Sequence, residues 1–222
     1  MAADRSKTLS AFDRLPEEVQ QRILNASAAV FAQEGYHHAS VANICSQAHI
    51  SNGALYKYFK NKEALFFAVL DNSTALTEEI YRKNMLSGAS LFDAIRALLG
   101  GLAQYAHDQR NYLRIYSDLG SSSMNRFAAK ASEKIKLATS YYTIRLIREA
   151  KARKEVRGDF DVRMMAYLID NYITIFSYSL VSEYQKNRYV SFFPGGDEKN
   201  AEVENEMIET IVSSLKRTLR PL

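Results

Sequence analysis

Apolar positions recur at three- and four-residue intervals through almost the whole chain, and the places where they stop mark helix ends. After Pro16, Val19, Ile23, Ala26 and Val30 make an inward stripe that runs to Gly35, with Pro16 suited to a first helical turn and Glu17 and Glu18 to its dipole. Ser40 then caps a short helix whose face is Val41, Ile44, Cys45 and Ala48. Ser51 caps another, in which Leu55 and Phe59 are the buried pair, and only His49 and Ile50 lie between the two. Asn61 can cap a long fourth helix running through Leu65, Val69, Leu76 and Ile80 to about Leu86. Further helices are predicted over about 90–107, 111–119 and 125–156, the last with Ile135, Ala138, Tyr142, Leu146 and Ala150 inward. An eighth over 162–186 and a ninth over 201–219, with Met207, Ile208, Ile211, Val212, Leu215 and Leu219 on one face, complete an all-α chain of about nine helices.

The punctuation agrees. Proline occurs only at Pro16, Pro194 and Pro221, while Gly35, Gly88, Gly120, Gly158 and the pair Gly195 and Gly196 fall between periodic segments. Gly100 and Gly101 fall inside the fifth helix, where they fit a kink or a close approach. The eighth helix is unusual in having no strongly charged face. Leu168, Tyr172, Met165, Phe176, Ile169, Leu180 and Ile173 cover one side, and Tyr167, Asp170, Asn171, Thr174, Ser177 and Tyr178 the other. Such a helix is covered on both sides, by its own core and by a partner subunit or a cavity.

The stretch from Ser40 to Lys62 carries the chemistry. Two short helices at so tight a corner, the second bearing small, amide, aromatic and cationic side chains, match a helix-turn-helix whose second helix enters the major groove. From Phe31 to Leu65 the sequence resembles the DNA-binding region of the TetR (tetracycline repressor) family of transcriptional regulators. The resemblance rests on Phe31, Gly35, Tyr36, Ser40, Val41, Ile44, Ala48, Ile50, Ser51, Gly53, Leu55, Tyr56, Tyr58, Phe59, Lys62, Glu63 and Leu65. It implies that Asn52, Gly53, Ala54 and Lys57 meet base edges, that Tyr56, Tyr58 and Lys62 grip phosphates, and that Ser40 makes another phosphate contact. The chemistry agrees: an amide pairs with adenine, a cation with guanine and a methyl packs on thymine, while hydroxyls and ammonium groups suit the backbone. Two departures stand out. His49 occupies a corner where the family usually has Gly, and Cys45 replaces the more usual Ala.

Composition narrows the remaining readings. A net charge of +4 permits nucleic-acid binding without demanding it. Cys45, the only cysteine, excludes an intrachain disulfide and fits a reducing cytoplasm; the N-terminus lacks the apolar run of a signal peptide, so a cytoplasmic location is expected. The most apolar stretch, 164–181, holds Asp170, Asn171 and Thr174 and suits burial in protein rather than lipid, so no membrane association is expected. Cys45 reads as a small core residue ahead of a redox sensor, and His37 and His38 as a solvated loop ahead of a metal site. Arg5, Lys7 and Arg14, in an arm over 1–14, read as a disordered tail ahead of a minor-groove arm. No metal or cofactor is implied. An enzyme finds little support, with no Gly-rich phosphate loop, no metal-ligand spacing and only His107 as a histidine beyond the N-terminal region.

The expected organisation is a DNA-binding domain over 1–62 and a ligand-binding and dimerisation domain over 63–222, linked by the fourth helix at about 62–86. Tyrosines are frequent in the second part, and apolar walls with a few hydroxyls and amides are what a pocket for a lipophilic molecule needs. Tyr105, Tyr112, Tyr116, Tyr142, Asn171, Thr174 and Tyr178 are its candidate lining. The resemblance implies a homodimer through the eighth and ninth helices, binding a palindromic operator in double-stranded DNA and released by a small lipophilic effector. The alternative is a DNA-binding protein without an inducer, whose C-terminal domain docks another protein.

Overall fold

The computed structural model describes residues 10–192 and 201–221, with the backbone alone for residues 130, 132–138, 201 and 202. Among the described residues there is no strand. The helices are α1 (Glu17–His38), α2 (Val41–Ala48), α3 (Asn52–Tyr58), α4 (Lys62–Asn84), α5 (Leu91–Asp108), α6 (Arg110–Asp118), α7 (Asn125–Ala152), α8 (Val162–Ser179), α9 (Glu183–Phe192) and α10 (Ala201–Leu219), with a short 3-10 turn, Ser122–Met124, before α7. The chain divides into two compact units, Met1–Asn72 and Ser73–Leu222. The division falls inside α4 and not at its start, because Leu65, Phe66, Val69 and Leu70 are buried in the first unit.

In the first unit, α1 carries Ile23, Leu24, Val30 and Phe31 into a core completed by Ile44, Ala48, Leu55 and Leu65. The rings of Phe31 and Phe66 meet edge to face at 5.0 Å, and Tyr36 packs against both. Gly35, at φ 71°, bends the end of α1 in a conformation that a side chain would strain. The segment expected as a free arm is partly anchored: Phe12 is buried, its ring 4.7 Å from that of Phe59. Arg5 and Lys7 lie outside the described residues.

In the second unit, α5 is the central element. Leu91, Ile95, Leu98, Leu99 and Leu102 are almost fully buried against α7, α8 and α10, each such side chain contributing about 1.5–3 kcal/mol. From α7, Tyr142 is half-buried while Leu146 and Ala150 are fully packed; Ile135 and Ala138 lie outside the described side chains. Gly101 lets α4 and α5 come together, since a methyl there would sit 2.9 Å from the Asn84 amide and 3.0 Å from Ile80. Gly100 has open space around it and serves no such contact.

The sequence pattern required correction in three places. The helix expected over 162–186 stops at Ser179 and a separate α9 begins at Glu183, so the helix expected as ninth is α10. The cause is local capping: Ser182 Oγ accepts from Gln185 N, while Arg110 Nη1 donates to the freed Leu180 carbonyl at 2.8 Å. The fourth helix, expected to run to about Leu86, ends at Asn84, and Leu86 beyond it is exposed. The apolar side of α8 is also narrower than expected. Ile169, Ile173 and Phe176 are buried, but Leu168 and Tyr172, assigned to the same side, are exposed.

Candidate DNA interface and core cavity

The helix-turn-helix is built from local hydrogen bonds that its sequence specifies. Ser40 Oγ accepts from Asn43 N, Ser51 Oγ accepts from Ala54 N at 3.1 Å, and Asn61 Oδ1 accepts from Ala64 N at 2.8 Å, so α2, α3 and α4 are each capped by their own residue. Between α2 and α3, His49 is left-handed at φ 55° and ψ 45°. Ile50 N donates to Cys45 O and His49 N to Ser46 O, the paired bonds of a Schellman turn, which hold the corner that Gly would adopt more easily. Arg22 Nε donates to Ala48 O at 3.1 Å, and the Glu34 carboxylate accepts from Ser40 N and, at 2.6 Å, from Asn43 Nδ2. Both ends of α2 are therefore fastened to α1. Cys45 is buried on this inner face, and burial pushes its thiol above the usual range, so it stays a neutral core residue.

With Leu55 and Phe59 buried, the rest of α3 is turned outward. Asn52, Gly53, Tyr56 and Lys57 are exposed, while Ala54 and Tyr58 are half-buried. Lys60, exposed just beyond α3 and absent from the residues expected at DNA, adds a further cation beside this face. Nothing internal requires Gly53: a methyl there would meet only Ser51 Oγ, at 3.9 Å. Lys62 is placed differently. Its Nζ donates to His37 O and Ala39 O, each at 3.1 Å, and lies 4.9 Å from the centre of the Tyr36 ring, so it closes the end of α1 onto the start of α4.

The second unit holds a cavity of about 90 Å³, bounded by Thr74, Thr77, Glu78 and Tyr81 of α4, Leu102 of α5, Leu113 and Tyr116 of α6, Thr139 of α7, and Asp170, Ile173, Thr174, Ser177 and Tyr178 of α8. Of the seven residues proposed from sequence as a lining, it gathers Tyr116, Thr174 and Tyr178. The other four lie elsewhere. Tyr105 is buried with its hydroxyl 3.3 Å from Ser73 Oγ, Tyr112 is buried in the core, Tyr142 packs against Tyr81, and Asn171 is exposed with Nδ2 bonded to Tyr167 O. Burial raises the phenols of Tyr81, Tyr116 and Tyr178 above the usual range, and the charge of Asp170 adds to this. Burial raises the Asp170 carboxyl as well. The signal for Asp170 was present in the sequence, as an acid four residues before Thr174, but only the packing shows that it faces a cavity.

A three-helix unit with a cap-fixed turn and an outward polar helix face, followed in sequence by an all-helical second unit, is the arrangement of helix-turn-helix transcriptional regulators. Residues 23–69 match the family described as bacterial regulatory proteins, tetR family. The chain is 26% identical over 162 residues to the HTH-type transcriptional regulator UidR of Escherichia coli (strain K12), covering 71% of this chain and 80% of that one. A TetR transcriptional regulator from Chloroflexus aurantiacus superposes with a TM-score of 0.70 at 18% identity, over 93% of this chain and 98% of that one. The regulator FadR from Bacillus subtilis, solved in complex with stearoyl-CoA, does so with a TM-score of 0.67 at 19% identity, over 87% and 97%. The segment over residues 23–69 is thus a DNA-binding region of tetR type, and the chain as a whole is similar to transcriptional regulators of that type. Among the described residues no helix is long and apolar enough to cross a membrane.

Proposed function

We propose that the protein is a repressor that binds a palindromic operator as a homodimer and is released by a small lipophilic effector held in the cavity of its second unit. The observation that carries the DNA half is the outward face of α3, where Asn52, Gly53, Tyr56 and Lys57 are exposed around a helix pinned by Leu55 and Phe59. Asn52, Gly53, Ala54 and Lys57 would meet base edges, and Tyr56, Tyr58 and Ser40 would meet phosphates.

The dimer reading is supported by α8. Met164, Tyr167, Leu168, Tyr172 and Ile175 are all exposed, and their spacing places them on one helical stripe that also includes Asn171. A two-fold contact between such stripes, with α10 beside them, would bury them and set the distance between two copies of α3. The effector reading is supported by the cavity and by α4. That single helix carries Thr74, Thr77, Glu78 and Tyr81 at the cavity and Lys62 at its first residue. A ligand that binds the released arrangement better would shift α4 and misplace the reading helices, and only to the extent of that preference.

The test is retention of DNA from the flanks of the protein's own gene. The wild-type chain retains it specifically. Replacing Tyr56 and Lys57 together by Ala should abolish specific retention while size-exclusion chromatography still shows a dimer. Unchanged retention would reject the assignment of α3.

A further inference from the structure

On the reading that the cavity of the second unit holds the effector, its lining also selects the effector's charge. The polar lining consists of Thr and Ser hydroxyls, three phenols, and the carboxyls of Asp170 and Glu78. Among the described lining residues there is no Lys, Arg or His. Asp170 sits partly buried in the middle of α8, and no described residue gives it a hydrogen bond or a counter-charge. Its proton is held above the usual carboxylate range by burial, and its charge reaches the phenols of Tyr81, Tyr116 and Tyr178.

Three kinds of occupant differ in what they do to this carboxyl. An anion, such as a fatty carboxylate or the phosphates of an acyl-CoA, would meet Asp170 and Glu78 with no cation among the described lining residues to offset the repulsion. A neutral lipophile would remove the remaining water and leave Asp170 without a partner, which is the costly arrangement for a polar group. A cation would pair with the carboxylate, and its surroundings would include tyrosine ring faces that attract positive charge. The geometry points to an organic cation as the effector class: a lipophilic molecule with an ammonium or another protonated nitrogen, held by Asp170 and flanked by Tyr81, Tyr116 and Tyr178. This places the effector in a different class from the stearoyl-CoA of the B. subtilis FadR structure.

Three probes of matched size separate the possibilities by isothermal titration calorimetry at neutral pH: phenethylammonium, phenethyl alcohol and 3-phenylpropanoate. The full-length wild-type chain should rank them in that order. Asp170→Asn should weaken phenethylammonium about tenfold or more and abolish its advantage over phenethyl alcohol, whose continued binding reports that the cavity is intact. If Asp170→Asn does not fold, the ranking in the wild-type chain decides alone. Binding of the carboxylate or the alcohol ahead of the ammonium, or ammonium binding undiminished in Asp170→Asn, overturns the inference and leaves the cavity an effector site. Binding of none of the three at millimolar concentration counts against the cavity as an effector site, and the inference falls with it.

Discussion

Two lysines near the reading helix should behave oppositely when each is replaced by Met. Lys62 Nζ donates to two main-chain carbonyls, His37 O and Ala39 O, at 3.1 Å each, and lies over the Tyr36 ring. A hydrogen bond to a charged group contributes about 1.5–3 kcal/mol when buried. One of these bonds is exposed and the other part-buried, so solvent screening reduces the pair to about 1–2 kcal/mol in total. For a unit of this size that is a fall in Tm of about 4–8 °C per kcal/mol, if the first unit melts by itself. Lys57 is exposed on α3 and has no such bonds to lose, so Lys57→Met should change stability by less than about 0.5 kcal/mol. On DNA the order reverses. Each lysine that displaces counterions contributes about one unit to the slope of log affinity against log salt. Lys57→Met should flatten that slope by about one unit per subunit, and Lys62→Met should leave it nearly unchanged. Far-UV circular dichroism melts and fluorescence anisotropy titrations over a series of KCl concentrations measure the two quantities. A Lys62→Met chain with wild-type Tm and a flattened slope would show the ammonium serving phosphate instead of α1, and an unchanged slope for Lys57→Met would remove Lys57 from the DNA face.

Three further outcomes are expected. Gly53→Ala has room for its methyl and gains helix propensity, so it should raise stability by up to about 1 kcal/mol while weakening operator binding in an anisotropy titration. Glu149 accepts from Gly88 N at 3.0 Å and Ser87 Oγ at 2.8 Å, and these bonds hold its carboxyl below the usual range. A depressed carboxyl stabilises the fold above the unfolded pKa and loses that contribution as pH falls through the folded one. Glu149→Gln should therefore lower stability by about 1 kcal/mol at neutral pH, with the gap to wild type closing in melts at progressively more acid pH. Placing charge on the outer stripe of α8, as in Leu168→Glu with Tyr172→Glu, should yield a folded monomer by sedimentation equilibrium that binds the palindrome far more weakly; a dimer of wild-type strength would exclude that face.

Legibility followed the range of the interaction. The caps at Ser40, Ser51 and Asn61 each act over three residues, so the sequence contained both partners of every bond. The Leu55 and Phe59 pair is one helical turn apart, and its burial fixed by subtraction which side of α3 faces out. Lys62 was harder to place, because its partners are 23 and 25 residues away and are carbonyls, which every residue possesses. The break after Ser179 was hidden for a similar reason, since no proline or glycine marks it and the Leu180 carbonyl is taken by Arg110 of α6.

Helix α8 separates the two levels of information most clearly. Its sequence determined that it is a helix without a strongly charged face, and so one covered on more than one side. It did not determine which residues face where, because helical periodicity gives the angle between side chains and not the identity of what covers them. Tertiary packing resolved three faces in place of two: Ile169, Ile173 and Phe176 into the core, Asp170, Thr174, Ser177 and Tyr178 onto the cavity, and Leu168 and Tyr172 outward. The sequence by itself determined that this protein is helical and presents a helix suited to DNA. Only the assembly of α4, α5, α6, α7 and α8 around one space decided that an acid with no partner among the described residues stands among tyrosines there, because that grouping depends on contacts between helices far apart in the chain.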